Sequence, residues 1–252
     1  MALIKNENEL AKIRMAGRIQ RSVMASLAEV VKIGAVPKEI DKLAEKLIRS
    51  AGAEPAFKNY QPGGAKNPYP ATICASVNNV IVHDAPTNQP LKEGDIFKID
   101  IGVRYQGYNT DSAQTFILGR PKDKRAYELV GVTRQSLELA IEAAQTGNTL
   151  GDIGHAIQSH VEAHGFHVVK GLSGHGIGQK VHEDPHVFNF GTPGEGMHLE
   201  PGMVIAIEPM VAVGTPDLVQ TETEAYASKD GSLTAHFEHT IIITSEKAEI
   251  VT

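Results

Sequence analysis

Residues 91–100 read Leu-Lys-Glu-Gly-Asp-Ile-Phe-Lys-Ile-Asp, and residues 199–208 read Leu-Glu-Pro-Gly-Met-Val-Ile-Ala-Ile-Glu. Both share one pattern: Leu, a Gly three positions on, then five residues, the last of them Ile, and a carboxylate. A second acid follows each block, ahead of an apolar segment that contains Thr. These segments are Asp111-Ser112-Ala113-Gln114-Thr115-Phe116 and Glu238-His239-Thr240-Ile241. The first blocks stand 108 residues apart, too far for a solenoid period. The expected chain is a duplicated α+β unit whose halves, roughly 1–120 and 121–252, form one catalytic domain spanning 1–252, each half giving a pair of carboxylates.

The rest of the chain fits that order. Leu10, Ile13, Met15, Ile19, Val23 and Leu27 recur at helical spacing over 6–33, and 36–51 predicts a second amphipathic helix opened by Pro37. Strands are expected at 72–83, 96–103 and 108–118, helices at 122–146 and 150–164, and strands with Gly-rich loops from about 166. The stretch 61–68 is a loop by composition. The 252 residues carry a net charge of −6. That balance argues against a chain whose task is coating nucleic acid or an anionic membrane, so neither is an expected partner. A single cysteine, Cys74, forbids an internal disulfide and suits a reducing compartment. With neither a long apolar run nor a signal-peptide core, a cytoplasmic protein is expected.

Alternation along 96–103 places Phe97, Ile99, Ile101 and Val103 on one face and Asp100 on the other. A turn centred between Tyr105 and Gln106 sets Asp100 directly opposite Asp111, where two bare carboxylates repel unless a shared proton or a cation compensates. Taken alone, the two acids also fit a solvated polar face. Glu208 weighs against that reading: it ends a strongly apolar run, where a charge needs a partner.

Histidine is unusually frequent, with 11 in the chain. His175 lies within Gly174-His175-Gly176-Ile177-Gly178, a setting that lets a second group approach closely. No Gly-Lys-Ser/Thr ending follows, so a phosphate loop is a poor reading. His182-Glu183-Asp184-Pro185-His186 spells the zinc-protease motif. That motif works only on a helix, and Pro185 falls inside the would-be turn. Two Asp, two Glu and one His make an oxygen-rich set suited to a pair of divalent ions, Mn²⁺, Fe²⁺, Co²⁺ or Zn²⁺. A water bridging such a pair becomes a nucleophile near neutral pH. The chemistry expected is metal-assisted hydrolysis, with His83 and His182 placed to polarise a substrate carbonyl.

These residues, as an ordered set covering nearly the whole chain, resemble the pita-bread metallopeptidases, most closely the type I methionine aminopeptidases. The resemblance rests on Val80–His83, Lys98–Gly102, Asn109–Asp111, Ser173–Gly178, Val181–Pro185, Ile207–Met210 and Phe237–Thr240. It implies two pseudo-symmetric α+β halves around a central antiparallel sheet. It further implies that Asp100 ligates one metal, that His175 and Glu208 ligate the other, and that Asp111 and Glu238 bridge both. Glu208 would also be the general base. His182 would contact the scissile carbonyl region, and His83 the peptide beside the cleaved bond. Tyr60, Tyr69 and Cys74 would line a methionine pocket. The implied substrate is the N-terminal peptide of a nascent protein, Met followed by a small residue, with the ribosome as a further implied partner and the enzyme acting as a monomer. The chain's own start, Met1-Ala2, fits that substrate rule.

Spacing narrows the resemblance. Thirty residues from Glu208 to Glu238 leave no room for the helical insert of type II enzymes, and too few residues precede the site for the N-terminal domain usual in prolidases. Departures from the family pattern are Asp84 after His83, Val181 before His182, a longer 61–68 loop and no Trp. Two alternatives stay open: an Xaa-Pro aminopeptidase of the same fold, and a pita-bread binding module that has lost catalysis.

Overall fold

The computed structural model describes residues 4–61 and 66–252. Met1-Ala2 and residues 62–65 of the 61–68 loop therefore lie outside the described residues. Among the described residues four helices occur, α1 (Glu7–Val30), α2 (Pro37–Ser50), α3 (Arg125–Ala143) and α4 (Leu150–Ala163). The strands of the first half are β1 (Glu54–Pro55), β2 (Ile73–Val77), β3 (Val80–Val82), β4 (Ile96–Tyr105) and β5 (Tyr108–Ile117). Those that follow α4 are β6 (His167–Val168), β7 (Gly174–Gly176), β8 (Glu183–Val187), β9 (Val204–Ile207) and β10 (Met210–Ala212). The last are β11 (Leu218–Gln220), β12 (Tyr226–Ser228), β13 (Thr234–His236), β14 (Glu238–Ile242) and β15 (Glu249–Ile250). No helix among the described residues is long and apolar enough to cross a membrane.

A nine-stranded sheet runs β1-β4-β5-β14-β9-β7-β8, with β2 beside β4 and β15 beside β14. Every pairing in it is antiparallel. The expected strand over 72–83 is broken in two at Asn78, whose φ of 55° turns the chain. Helices α1 and α2 bury Val23, Leu27, Ile40 and Ile48 against Phe97, Ile99, Ile101 and Val103, the face that alternation assigned to the core. Helices α3 and α4 bury Leu129, Leu137, Ile153 and Ile157 against Ile205, Ile207 and Ile241.

The duplication is visible in hydrogen bonds. Gly94 N–H donates to Leu118 and Leu118 N–H to Asp95; in the second unit Gly202 N–H donates to Ile243 and Ile243 N–H to Met203. Both glycines have φ near 90°, a conformation open to Gly at little cost. Each Leu-x-x-Gly block thus closes the same loop onto the far end of its partner strand, and Asp100 and Glu208 sit six residues beyond the two glycines.

One buried side chain fixes the hairpin against α1. Gln20 donates from Nε2 to Ile101 O at 2.5 Å and to Ser112 Oγ at 2.7 Å, and its Oε1 accepts from Thr110 Oγ1 at 2.5 Å. Thr110 and Ser112 flank Asp111, so alternation turns Asp111 to the opposite side of the sheet. Gln20→Leu should strand these partners and lower unfolding stability by about 2–3 kcal/mol, measured by denaturant titration.

Candidate metal centre

β4 and β5 meet through Gln106 and Gly107, both in the left-handed region (φ 47° and 86°), and Tyr105 pairs with Tyr108. This two-residue turn corrects the register expected from sequence. Asp100 lies opposite Ala113, and Asp111 lies opposite Gly102. The slip is two residues, so both acids keep one face and become diagonal neighbours. Each carboxyl still bears on the ionisation of the other.

His175 is carried by the short strand β7, pinched between β8 and β9. A Cβ at Gly174 would fall 2.3 Å from Ala206 O, and one at Gly176 would fall 2.1 Å from Asp184 O. Only glycine on either side of His175 lets the two neighbouring backbones close in. His175 Nδ1 lies 2.9 Å from Gly176 O; that bond makes Nδ1 the protonated nitrogen and leaves the Nε2 lone pair facing the centre. Glu208 directly follows β9 and Glu238 opens β14, where it pairs with Ala113. The motif-like segment 182–186 forms no helix; Glu183–Val187 is strand β8.

The side chains of Asp111, His175 and Glu238 offer ligand atoms that all lie within 4.8 Å of one another. His175 Nε2 is 3.7 Å from Glu208 Oε1, and Asp100 joins through Asp111. Buried Asp100 Oδ1, Asp111 Oδ1 and Glu238 Oε1 have no hydrogen-bond partner, a costly arrangement for acceptor atoms unless a cation completes it. Burial pushes the Asp100 carboxyl up to about 6 and that of Glu208 up to about 7. Burial, together with the neighbouring acids, holds Asp111 and Glu238 well above the usual carboxylate range. Burial keeps His175 low, at about 4, aided by the nearby His182. A neutral imidazole among oxygen donors with unsatisfied lone pairs fits divalent cations.

A cavity of about 510 Å³ opens over this centre, lined by His83, His175, His182, His186, Met197 and Glu208. His83 has φ 65°, unfavourable for a non-glycine residue and of the kind that gathers at functional sites. Burial lowers it to about 4, and the charges that next bear on it are those of His236 and His175, not that of Asp84. His182 is solvent-exposed at the cavity, and its Nδ1 lies 2.9 Å from Tyr60 Oη. Tyr60, Tyr69 and Cys74 meet Phe57 and Val181 in one apolar cluster. Cys74 pairs with Asp100 across β2 and β4, which sets that cluster directly against the acids.

Sequence reasoning missed His236. It is 1% exposed, its Nε2 lies 3.4 Å from Glu208 Oε2, and neither ring nitrogen has a hydrogen-bond partner. Burial lowers it to about 4, opposed by the nearby Asp100. The signal was its place two residues before Glu238, where strand alternation returns it to the same side.

The profile of metallopeptidase family M24 matches residues 11–245. The chain belongs to metallopeptidase family M24. Within that family it is 43% identical over 254 residues to a methionine aminopeptidase of Clostridium perfringens, covering 100% of this chain and 99% of the relative. It is 42% identical over 254 residues to methionine aminopeptidase 1 of Bacillus subtilis, with the same coverage. The crystal structure of a methionine aminopeptidase from Thermotoga maritima superimposes with a TM-score of 0.94 at 42% identity, covering 99% of this chain and 98% of that one. A prolidase from Pyrococcus horikoshii shares the fold, with a TM-score of 0.78 at 24% identity, but this M24 chain covers only 63% of it.

Proposed function

We propose that this M24 chain is a metal-dependent methionine aminopeptidase that removes the N-terminal Met of a peptide when the second residue is small. Nascent proteins leaving the ribosome in the cytoplasm are the proposed source of those N-termini, and the enzyme acts as a monomer. The observation that carries the reading is the meeting of Asp100, Asp111, His175, Glu208 and Glu238, which enter from distant parts of the chain, around buried oxygens that lack partners. Relatives named methionine aminopeptidases at 42–43% identity over the full chain support it.

Asp100 would hold one of two divalent ions, His175 and Glu208 the other, and Asp111 and Glu238 would bridge them. Such ions supply Lewis acidity toward a substrate carbonyl and a water acidic enough to attack it near neutral pH. Glu208, raised to about 7 by burial, suits a group that takes a proton from water and returns it to the leaving amine. His182 and His83, both neutral at pH 7, would donate hydrogen bonds at the scissile peptide. The Tyr60 hydroxyl against His182 Nδ1 fixes which way that ring faces. The apolar cluster of Phe57, Tyr60, Tyr69, Cys74 and Val181 is placed to take a methionine side chain.

Tyr60→Phe should lower kcat by roughly three- to tenfold by freeing the His182 ring, read from steady-state kinetics. The function itself is tested with Mn²⁺- or Co²⁺-loaded protein on Met-Ala-Ser, Met-Leu-Ser and Ala-Pro peptides. Release of Met from the first alone is expected. Cleavage of Ala-Pro, or no turnover with any divalent metal, would overturn the reading.

A further inference from the structure

The two halves place their central residues by the same device. Thr240 Oγ1 accepts from Asp111 N–H at 2.8 Å and donates to Asp111 O at 2.9 Å. Thr115 Oγ1 accepts from His236 N–H at 3.0 Å and donates to His236 O at 2.6 Å. Asp111 lies four residues before Thr115, and His236 four residues before Thr240. Ala113 and Glu238, which follow each by two, pair with each other where the halves meet. The structural counterpart of Asp111 is therefore His236, and not Glu238 as the order of acids along the chain had indicated. Asp100 and Glu208 are counterparts as well. Next to Asp100 stands Asp111, whose carboxyl bears on its ionisation; next to Glu208 stands His236, at 3.4 Å.

We infer that His236 is a positioning residue of the metal centre, its Nε2 set beside Glu208 Oε2 so that donation between them keeps Oε1 turned toward His175. Several observations fix it in that role. Its backbone is clamped in both directions by Thr115. Its ring is buried, with no competing partner for Nε2. Glu208 lies between the two imidazoles, its Oε1 3.7 Å from His175 and its Oε2 3.4 Å from His236. Asn189 Nδ2 donates to Glu208 O at 2.9 Å, so the backbone of this acid is held as well. Outer partners of this kind are typically worth about 10–100-fold in metal affinity or activity.

The inference rests on the aminopeptidase reading but is tested apart from it. Metal-free wild type, His236→Leu and His236→Gln are titrated with Co²⁺ by calorimetry and followed by the visible spectrum of the bound ion, with thermal melts as a check on folding. His236→Leu is expected to weaken binding of one Co²⁺ by about 10–100-fold and to lower kcat with little change in KM. His236→Gln, whose amide can still donate to Glu208, is expected to recover to within about threefold of wild type. His236→Asn, too short to reach, replaces the leucine variant if that one does not fold. Wild-type Co²⁺ affinity in the leucine or asparagine variant would overturn the role. So would failure of the glutamine variant to recover, with an altered Co²⁺ spectrum, since the imidazole would then be a ligand. A wild type that binds Co²⁺ but leaves Met-Ala-Ser intact would instead sink the aminopeptidase reading alone.

Discussion

Asp111→Asn should reduce kcat/KM on a Met-Ala-Ser peptide by about a thousandfold or more while the protein stays folded. An amide cannot supply two anionic oxygens to bridging cations, and the loss is several kcal/mol of transition-state stabilisation. The fold should tolerate the change. In the metal-free protein, burial and the nearby Asp100 hold the Asp111 carboxyl well above its ordinary range, which favours the uncharged form that asparagine resembles. Its backbone bonds to Thr240 are unaffected by the substitution. The metal-free variant should therefore melt at or above the wild-type temperature while its activity vanishes. Near-normal turnover would refute the bridging role, and a collapsed melt would show that the carboxylate is needed for folding.

Removing metal should abolish activity, and its effect should depend on pH in a direction set by the acids. Asp100 and Glu208 titrate at about 6 and about 7 because they are buried, so without cations the centre holds protons that bound cations must displace. Apparent Co²⁺ affinity should therefore rise, by about tenfold or more, between pH 5.5 and 7.5. Calorimetry in buffers of differing ionisation enthalpy should show proton release on binding. Stability of the metal-free chain runs the other way. Carboxyls with raised folded-state values bind more protons folded than unfolded. Their contribution is complete below pH 4 and is lost as pH rises through 6 and 7. Metal-free protein should thus melt at falling temperatures from pH 5 to 8, and added Mn²⁺ should cancel most of the drop. Flat melting curves for the stripped protein would show that the acids are not buried together.

The parts of this centre that were legible in sequence were those carried by short-range patterns. Alternation along Ile96–Val103 assigned Phe97, Ile99, Ile101 and Val103 to the core because period two is a local property. The glycines flanking His175 marked a place of close approach, and Pro185 excluded a helix. Hairpin register was less accessible: whether the turn centres before or after Gln106 depends on two residues entering the left-handed region together. The error moved Asp100 from Asp111 to Ala113, and parity alone preserved the shared face. His236 was missed for a different reason. The repeat was matched acid to acid, whereas the structural match runs through Thr115 and Thr240, and a histidine takes the place of the second half's expected acid. Hydrogen bonds between β5 and the β13–β14 segment reveal that equivalence, and they join residues 121 and 129 positions apart.

The most direct measurement is anomalous diffraction from Co²⁺-loaded crystals at the cobalt absorption edge. Two anomalous peaks enclosed by Asp100, Asp111, His175, Glu208 and Glu238 are predicted, with His236 against Glu208 and outside direct contact with either peak. Fewer than two peaks among those five side chains, or cobalt bound elsewhere on an active enzyme, would contradict the account.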